Sequence, residues 1–233
     1  MVDNERSENM STLKIAIDGP AGAGKSTIAK AVAKSLGFVY IDTGAMYRAI
    51  GLAAVRRNID TKNEEGVIGI LNDVEIGICH TEEGQQIFLN GENVSTEIRL
   101  PEISVAASNV AVIPAVRLKL VELQRELAEK SDVIMDGRDI GTYVLPNAQL
   151  KIFLTADVEE RAKRRLLELE EKGVKTTFDE VLNDMKYRDK NDSSRDFAPL
   201  RAAEDSVIVD STKLSLSETV EKITQLVREQ KSR

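Results

Sequence analysis

The sequence predicts an α/β fold, a parallel sheet of five strands flanked by helices, with a small antiparallel sheet inserted between its second and third strands. Three observations predict it. Five short apolar runs, at 13–17, 38–41, 132–136, 150–154 and 206–210, alternate with stretches of helical periodicity, the pattern of βα units. The first run opens into DGPAGAGKST (18–27), which satisfies G-x-x-x-x-G-K-[ST] at Gly19, Gly24, Lys25 and Ser26 and leads into a helix. Between the second and third runs, the partly alternating segments 74–79 and 85–89 are followed by Asn90-Gly91 and by 92–94, and Asn-Gly is the strongest short-range hairpin signal.

At 233 residues the chain can bury a sizeable core, with 13–233 as one domain and the polar residues 1–12 as a disordered N-terminal extension. No apolar run approaches the roughly 20 residues of a membrane span, and 1–12 holds no signal-peptide apolar stretch. A net charge of −7 argues against nucleic acid and anionic membranes as partners. The single cysteine, Cys79, excludes an intrachain disulfide and fits a reducing cytoplasm. With His80 the only histidine, a zinc site or a histidine triad is not expected, and chemistry falls to Lys, Arg, Asp and a metal.

In chain order, 18–27 is a P-loop, and the fold is P-loop NTPase-like. Gly19, Gly22 and Gly24 let successive N–H groups turn inward around Pro20, Ala21 and Ala23, and the helix that begins near Ser26 and Thr27 adds its positive end. Lys25 is placed to reach β- and γ-phosphates and the Ser26 hydroxyl to join a Mg²⁺ ion. After the strand 38–41, Thr43 is read as the N-cap of a helix over 45–57 whose buried stripe is Met46, Ile50, Ala53 and Ala54. Arg48 lies near its start, beside the carboxyl ends of the strands where open α/β sheets bind ligands, and is a candidate for a second phosphate or a solvated arginine. A short helix is expected over 64–71 and another over 101–112, and Pro114 takes N1 of a helix over 115–129 with Val116, Leu120, Leu123 and Leu127 on its apolar face and Arg117 on a different side. The strand 132–136 ends in Asp136, and the loop GRDIG (137–141) sets Arg138 and Asp139 where a ligand binds, unless they pair with each other. Asp157 caps a helix to about 172 whose Arg161, Lys163, Arg164 and Arg165 suit a mobile lid closing on phosphates, or equally a solvated face. The helix over 177–192 turns Phe178, Val181, Leu182 and Met185 inward, and Arg188, Asp192 and Arg195 recur at spacings of four and three on one face. A fifth buried strand, 206–210, and a final amphipathic helix, 215–229, capped by Ser215 or Ser217, complete the chain.

Four motifs in this order, IAIDGPAGAGKST, YIDTGAMYR, IMDGRDIGT and YRDKNDSSRDFAPL, with an insertion of about forty residues between the second and third, resemble bacterial cytidylate kinases from residue 13 almost to the C-terminus. The resemblance implies the nucleoside monophosphate kinase fold. Its core is 13–43, 114–156 and 205–233, its enlarged monophosphate-binding region about 44–113, and its helical lid about 157–176. It also implies ATP-dependent phosphorylation of CMP and dCMP to CDP and dCDP, with Mg²⁺, by a cytoplasmic monomer whose partners are these small molecules. Residue by residue, it puts 19–27 and Arg161 at ATP, Ser108, Arg117 and Asp139 at cytosine, Arg188 and Asp192 at the sugar, Arg48, Arg138 and Arg195 around the acceptor phosphate, and Thr43, where several relatives carry Ser, among the CMP-binding residues. It makes Lys25, Arg138, Arg188 and Arg165 catalytic, and leaves to Ser26 the metal, with Asp136 acting directly or through water.

The charge pattern suits that chemistry. A phosphate monoester has a second pKa near 6, so an acceptor phosphate needs no general base, and the barrier is charge repulsion that Lys, Arg and Mg²⁺ relieve. Asp139 can accept from the 4-amino group of cytosine, whereas uracil would set acceptor against acceptor, so UMP is expected to be a poor substrate. A GTPase would need an N-K-x-D motif, absent here, and a kinase for another small molecule such as shikimate would need neither the insertion nor the arginine series.

Overall fold

The structure, a computed structural model, describes residues 12–81, 84–171 and 173–232. The expected extension over 1–12 lies, apart from Thr12, outside the described residues. Strands β1 (Lys14–Asp18), β2 (Val39–Asp42), β6 (Val133–Gly137), β7 (Leu150–Thr155) and β8 (Val207–Asp210) form one parallel sheet in the order β2-β6-β1-β7-β8. A second sheet, β3 (Ile76–Thr81), β4 (Gly84–Leu89) and β5 (Glu92–Asn93), is antiparallel. It turns between β4 and β5 at Asn90 and Gly91, whose φ values of 49° and 84° are those of the type I′ turn that Asn-Gly supplies. The fold expected from the sequence is therefore the one observed.

The strands are apolar on both faces because helices cover both, as parallel sheets require. On one face Ile15, Ile17, Ile134, Ile152 and Val209 pack against α1 (Lys25–Leu36) and α8 (Leu216–Lys231). On the other, Ala16, Ile41 and Met135 join α2 (Thr43–Arg56), α3 (Glu64–Ile70), α4 (Pro101–Val110) and α5 (Pro114–Ala128). A smaller separate cluster, Ala162, Leu169, Val181 and Met185, holds α6 (Val158–Glu171) against α7 (Phe178–Ser194). Both α7 and α8 begin with full capping boxes, Thr177 with Glu180 and Ser215 with Glu218.

Four local expectations are corrected. The N-cap of α2 is Asp42, whose Oδ1 accepts from the Ala45 N–H at 2.9 Å, while the Thr43 hydroxyl donates instead to the Asp136 carbonyl at 2.7 Å. Strand β8 is not buried throughout: at the sheet edge only Val209 faces α8, and Val207 and Ile208 are exposed. Arg117 does not lie off the buried side of α5 but is 1% exposed, because the buried stripe runs Val116, Arg117, Leu120, Val121, Gln124 and Ala128. The loop after β6 winds into a π-helical turn, Ile140–Val144, for which the sequence gives no periodic signal.

Register brings the site together. Asp18 pairs with Gly137 and Asp42 with Asp136, so β1, β6 and β2 end level. The P-loop, the start of α2 and the loop 137–141 thus emerge side by side at the carboxyl edge.

Candidate active site

A cavity of about 270 Å³ opens at that edge, walled by the P-loop, α2, α4, α5, the loop after β6, α6 and α7. Its lining carries eight cationic side chains, Lys25, Arg48, Arg99, Arg117, Arg138, Arg165, Arg188 and Arg195, against five carboxylates. In a chain of net charge −7 this is a local reversal of sign.

The P-loop end is built on close approach. Gly19 has φ 151°, and a Cβ there would fall 1.9 Å from the Leu154 carbonyl oxygen. Gly22, Gly24, Lys25, Ser26 and Thr27 line the cavity, whereas Gly19, Pro20, Ala21 and Ala23 form the turn behind it. Lys25, buried, donates to the Pro20 carbonyl at 2.7 Å. Burial, and next the nearby Arg138, hold its ammonium well below the ordinary lysine value, so an anion entering here finds a cation short of compensation. Ser26 donates to Asp136 Oδ2 at 2.9 Å and Tyr40 to Asp136 Oδ1 at 2.8 Å. Burial, and then Asp42, push the Asp136 carboxyl up. Among the described residues no three His, Cys, Asp or Glu side chains gather as a metal cage. The Ser26 and Asp136 oxygens suit a hard cation that takes few protein ligands and keeps water and phosphate oxygens.

The opposite end is a network of paired charges. Arg117 donates to Asp139 Oδ2 and Arg195 to Asp139 Oδ1 at 3.2 Å, with all three side chains at most 5% exposed. Arg138 pairs with Asp192 at 2.6 Å, so Arg138 and Asp139 are not each other's partners. Burial works to raise the Asp192 carboxyl, yet Arg138 and Arg195 hold it below its ordinary value. Ser108 accepts from Asn191 at 3.4 Å, and Tyr187 donates to Asn109 at 2.8 Å, so α7 is tied to α4.

Between the two ends stand Arg48 and Arg188. Among the described residues Arg188 has no carboxylate within 4.0 Å and its buried Nε has no partner. Burial, then Arg138 and Arg48, lower its guanidinium to about 10. Among the described residues the sole carboxylate within 4.0 Å of Arg48 is that of Asp42, at 3.9 Å. Two guanidinium groups facing one space without full pairing are of the charge and chemistry that an anion would satisfy.

A sequence profile of the cytidylate kinase family matches residues 15–229. The chain is 54% identical over 217 residues to the cytidylate kinase of Caldicellulosiruptor bescii, covering 93% of this chain and 96% of that one. It is 51% identical over 221 residues to that of Bacillus subtilis, covering 95% and 98%. The chain belongs to the cytidylate kinase family. Among solved structures, that of an uncharacterized protein from Eubacterium ventriosum aligns at a TM-score of 0.50 and 14% identity, over 95% of this chain and 100% of that one, a likeness of fold alone.

Every residue that resemblance to cytidylate kinases puts on the acceptor side, Thr43, Arg48, Ser108, Arg117, Arg138, Asp139, Arg188, Asp192 and Arg195, lines the one cavity, as do Arg165 and Asp136. Arg161 does not. It is 5% exposed, with its guanidinium on the Ala156 and Ala21 carbonyls at 2.9 and 2.7 Å and on Asp189 at 2.8 Å, bracing the P-loop from behind. Arg165 is half-paired with Glu168 at 2.9 Å.

In this member of the cytidylate kinase family, sequence reasoning missed several residues at or beside the cavity. Arg99, on the insertion, pairs with Asp42 at 2.8 Å; desolvation works to raise that buried carboxyl, but Arg99 and Arg48 hold it low. Gln85 accepts from the Asp42 N–H at 2.9 Å and so ties the inserted sheet to the end of β2. Asp18 accepts from the Ile140 and Gly141 N–H groups at 2.8 and 2.7 Å and so fixes the turn after Asp139. Asp189 accepts from the Ala21 N–H at 3.2 Å. The place of Asp18 and Asp42 at strand ends is the one signal that pointed to any of these.

Proposed function

We propose that this cavity is where the chain phosphorylates CMP and dCMP to CDP and dCDP at the expense of ATP, with both nucleotides bound at the carboxyl edge of the sheet. The observation that carries the reading is the pair of under-compensated guanidinium groups, Arg48 and Arg188, between a P-loop and a buried Asp139. On this reading residues 19–27 and Lys25 hold the β- and γ-phosphates of ATP. Arg48, Arg138 and Arg188 take the acceptor phosphate, with Arg195 supporting them through Asp139 and Asp192. Asp192 and Arg188 meet the sugar, Ser108, Arg117 and Asp139 the base, and Thr43 orients the Asp136 backbone.

Ser26 would hold Mg²⁺, with Asp136 bonded to that hydroxyl and acting directly or through water; when bound, the ion neutralises phosphate charge. The residues of the chain do the rest. The acceptor phosphate is already largely a dianion at neutral pH, so the reaction requires no base from the protein. Lys25, Arg138, Arg188 and Arg165 would stabilise the charge spread over the transferring group, and each arginine so placed is worth on the order of 10³ to 10⁵ in rate. The α6 helix with its separate apolar cluster would serve as the lid over about 157–176, and 44–113 as the monophosphate-binding region. On this reading the enzyme acts as a monomer on small-molecule substrates. Among the described residues no single helix is long and apolar enough to cross a membrane, and with the lone Cys79 this fits the cytoplasm.

A coupled assay of ADP formation across CMP, dCMP, UMP, AMP and GMP tests the assignment. CMP and dCMP should give the highest kcat/KM, with UMP lower by up to roughly 10⁴. Equal turnover of UMP, or none with CMP, overturns it.

A further inference from the structure

Packing does not account for one polar residue of α5. Gln124 is 1% exposed, and among the described residues neither its Nε2 nor its Oε1 has a hydrogen-bond partner. It shares the buried stripe of α5 with Arg117 and Val121 and lines the cavity with Tyr47, Arg117 and Asp139. In a helix a long side chain leans toward the N-terminal turn, here the direction of Arg117.

Buried amides are almost always paired, because an unmet donor or acceptor forfeits its bonds to water. Of the neighbouring charges, Asp139 is engaged with Arg117 and Arg195 and Arg117 Nη1 with the Ala111 carbonyl at 3.3 Å, while the buried Arg117 Nε, like the amide, has no partner among the described residues. The Tyr47 hydroxyl lies near enough to the amide to feel it, but the two do not meet in hydrogen-bond geometry. An apolar side chain of the same length would fill this wall without loss. What enters the cavity therefore decides whether the amide is ever met.

We propose that Gln124 binds the acceptor nucleotide, its carboxamide hydrogen-bonding the polar edge of the pyrimidine base. This rests on the reading of the cavity as the acceptor site. An amide offers a donor and an acceptor side by side and can turn over, so it serves the edge of cytosine or of uracil. Gln124 thus supplies affinity for a pyrimidine, and Asp139, an acceptor in any orientation, supplies the choice between the two.

The test is Gln124→Met, which keeps length and removes the amide. Expected are a KM for CMP raised about five- to tenfold, the loss of one neutral hydrogen bond, a rise of the same factor for UMP, and kcat and the KM for ATP within about twofold of the parent. The ligand-free Tm should be equal or higher, since an unmet buried amide is gone. An unchanged KM for CMP, or a KM rise accompanied by a fallen Tm and kcat, overturns the proposal in favour of a packing role. Independently of any variant, glutamine-selective ¹⁵N labelling should show a buried side-chain amide shifted by CMP and not by ATP alone; no such shift also overturns it. If the parent protein forms no ADP with CMP yet this amide still shifts, the assigned reaction fails while the contact stands.

Discussion

Arg188 is the most informative single residue to alter, and its surroundings say why. Arg138 holds the buried Asp192, so its removal would strand a carboxylate and lower stability as well as activity. Arg188 has no such partner among the described residues, and its guanidinium is pressed down to about 10 by burial, Arg138 and Arg48. Truncating it relieves repulsion in the ligand-free protein and removes attraction only when an anion is bound. Asp139 poses the reverse problem. It accepts from two buried arginines, so Asp139→Ala would leave Arg117 without a carboxylate and Arg195 with only Asp192, whereas Asp139→Asn keeps the shape and one of the two acceptor oxygens. An asparagine amide can turn to donate to a uracil carbonyl, so Asp139→Asn should narrow the gap in kcat/KM between CMP and UMP by at least tenfold. A ratio unchanged from the parent would remove Asp139 from base choice.

At the scale of elements, the end of β1 governs the loop after β6. The Asp18 carboxyl is pushed up to about 7, chiefly by burial, with the Gly141 and Ile140 N–H groups working against the shift. Its ordinary value is near 3.9, so the folded protein binds this proton more tightly than the unfolded chain. The contribution to stability is therefore complete below about pH 4 and lost as pH rises through 7, a change of at most about 4 kcal/mol. The difference in unfolding free energy between the parent and Asp18→Asn should fall as pH is raised from 5 to 8; a flat difference would show that Asp18 titrates as in the unfolded chain. The amide introduced by Asp18→Asn also offers one acceptor oxygen where the carboxylate offers two, so the turn that carries Asp139 should loosen and the KM for CMP rise by about tenfold at pH 8. Kinetics of the same variant check this, and an unchanged KM would detach the turn from acceptor binding.

Over the whole molecule, what was legible in the sequence was what is local. The glycine loop, its strand and its helix are contiguous, and Arg188 and Asp192 share a face of α7 while Arg195, expected on that face, follows the helix as its extended C-cap and still reaches the same wall. What was not legible joins distant segments: Asp18 to Gly141 across 123 positions, Arg99 to Asp42 from a 3₁₀ turn with no periodicity, and Gln124, which shares the buried stripe of α5 with Arg117. Thr43 was read as a cap because a hydroxyl at that place suits one, but Asp42 precedes it and wins the Ala45 N–H. Edge position, invisible in an apolar run, left Ile208 exposed on β8. These long-range links assemble a cationic pocket in an acidic chain, and the pocket is the central claim.

Calorimetric titration of CMP into the parent protein and into Arg188→Ala tests it most directly. The account expects the variant to keep its ligand-free Tm within about 2 °C and to bind CMP about 30- to 100-fold more weakly, as loss of a charged hydrogen bond implies. Equal affinity for CMP in the two proteins would contradict it.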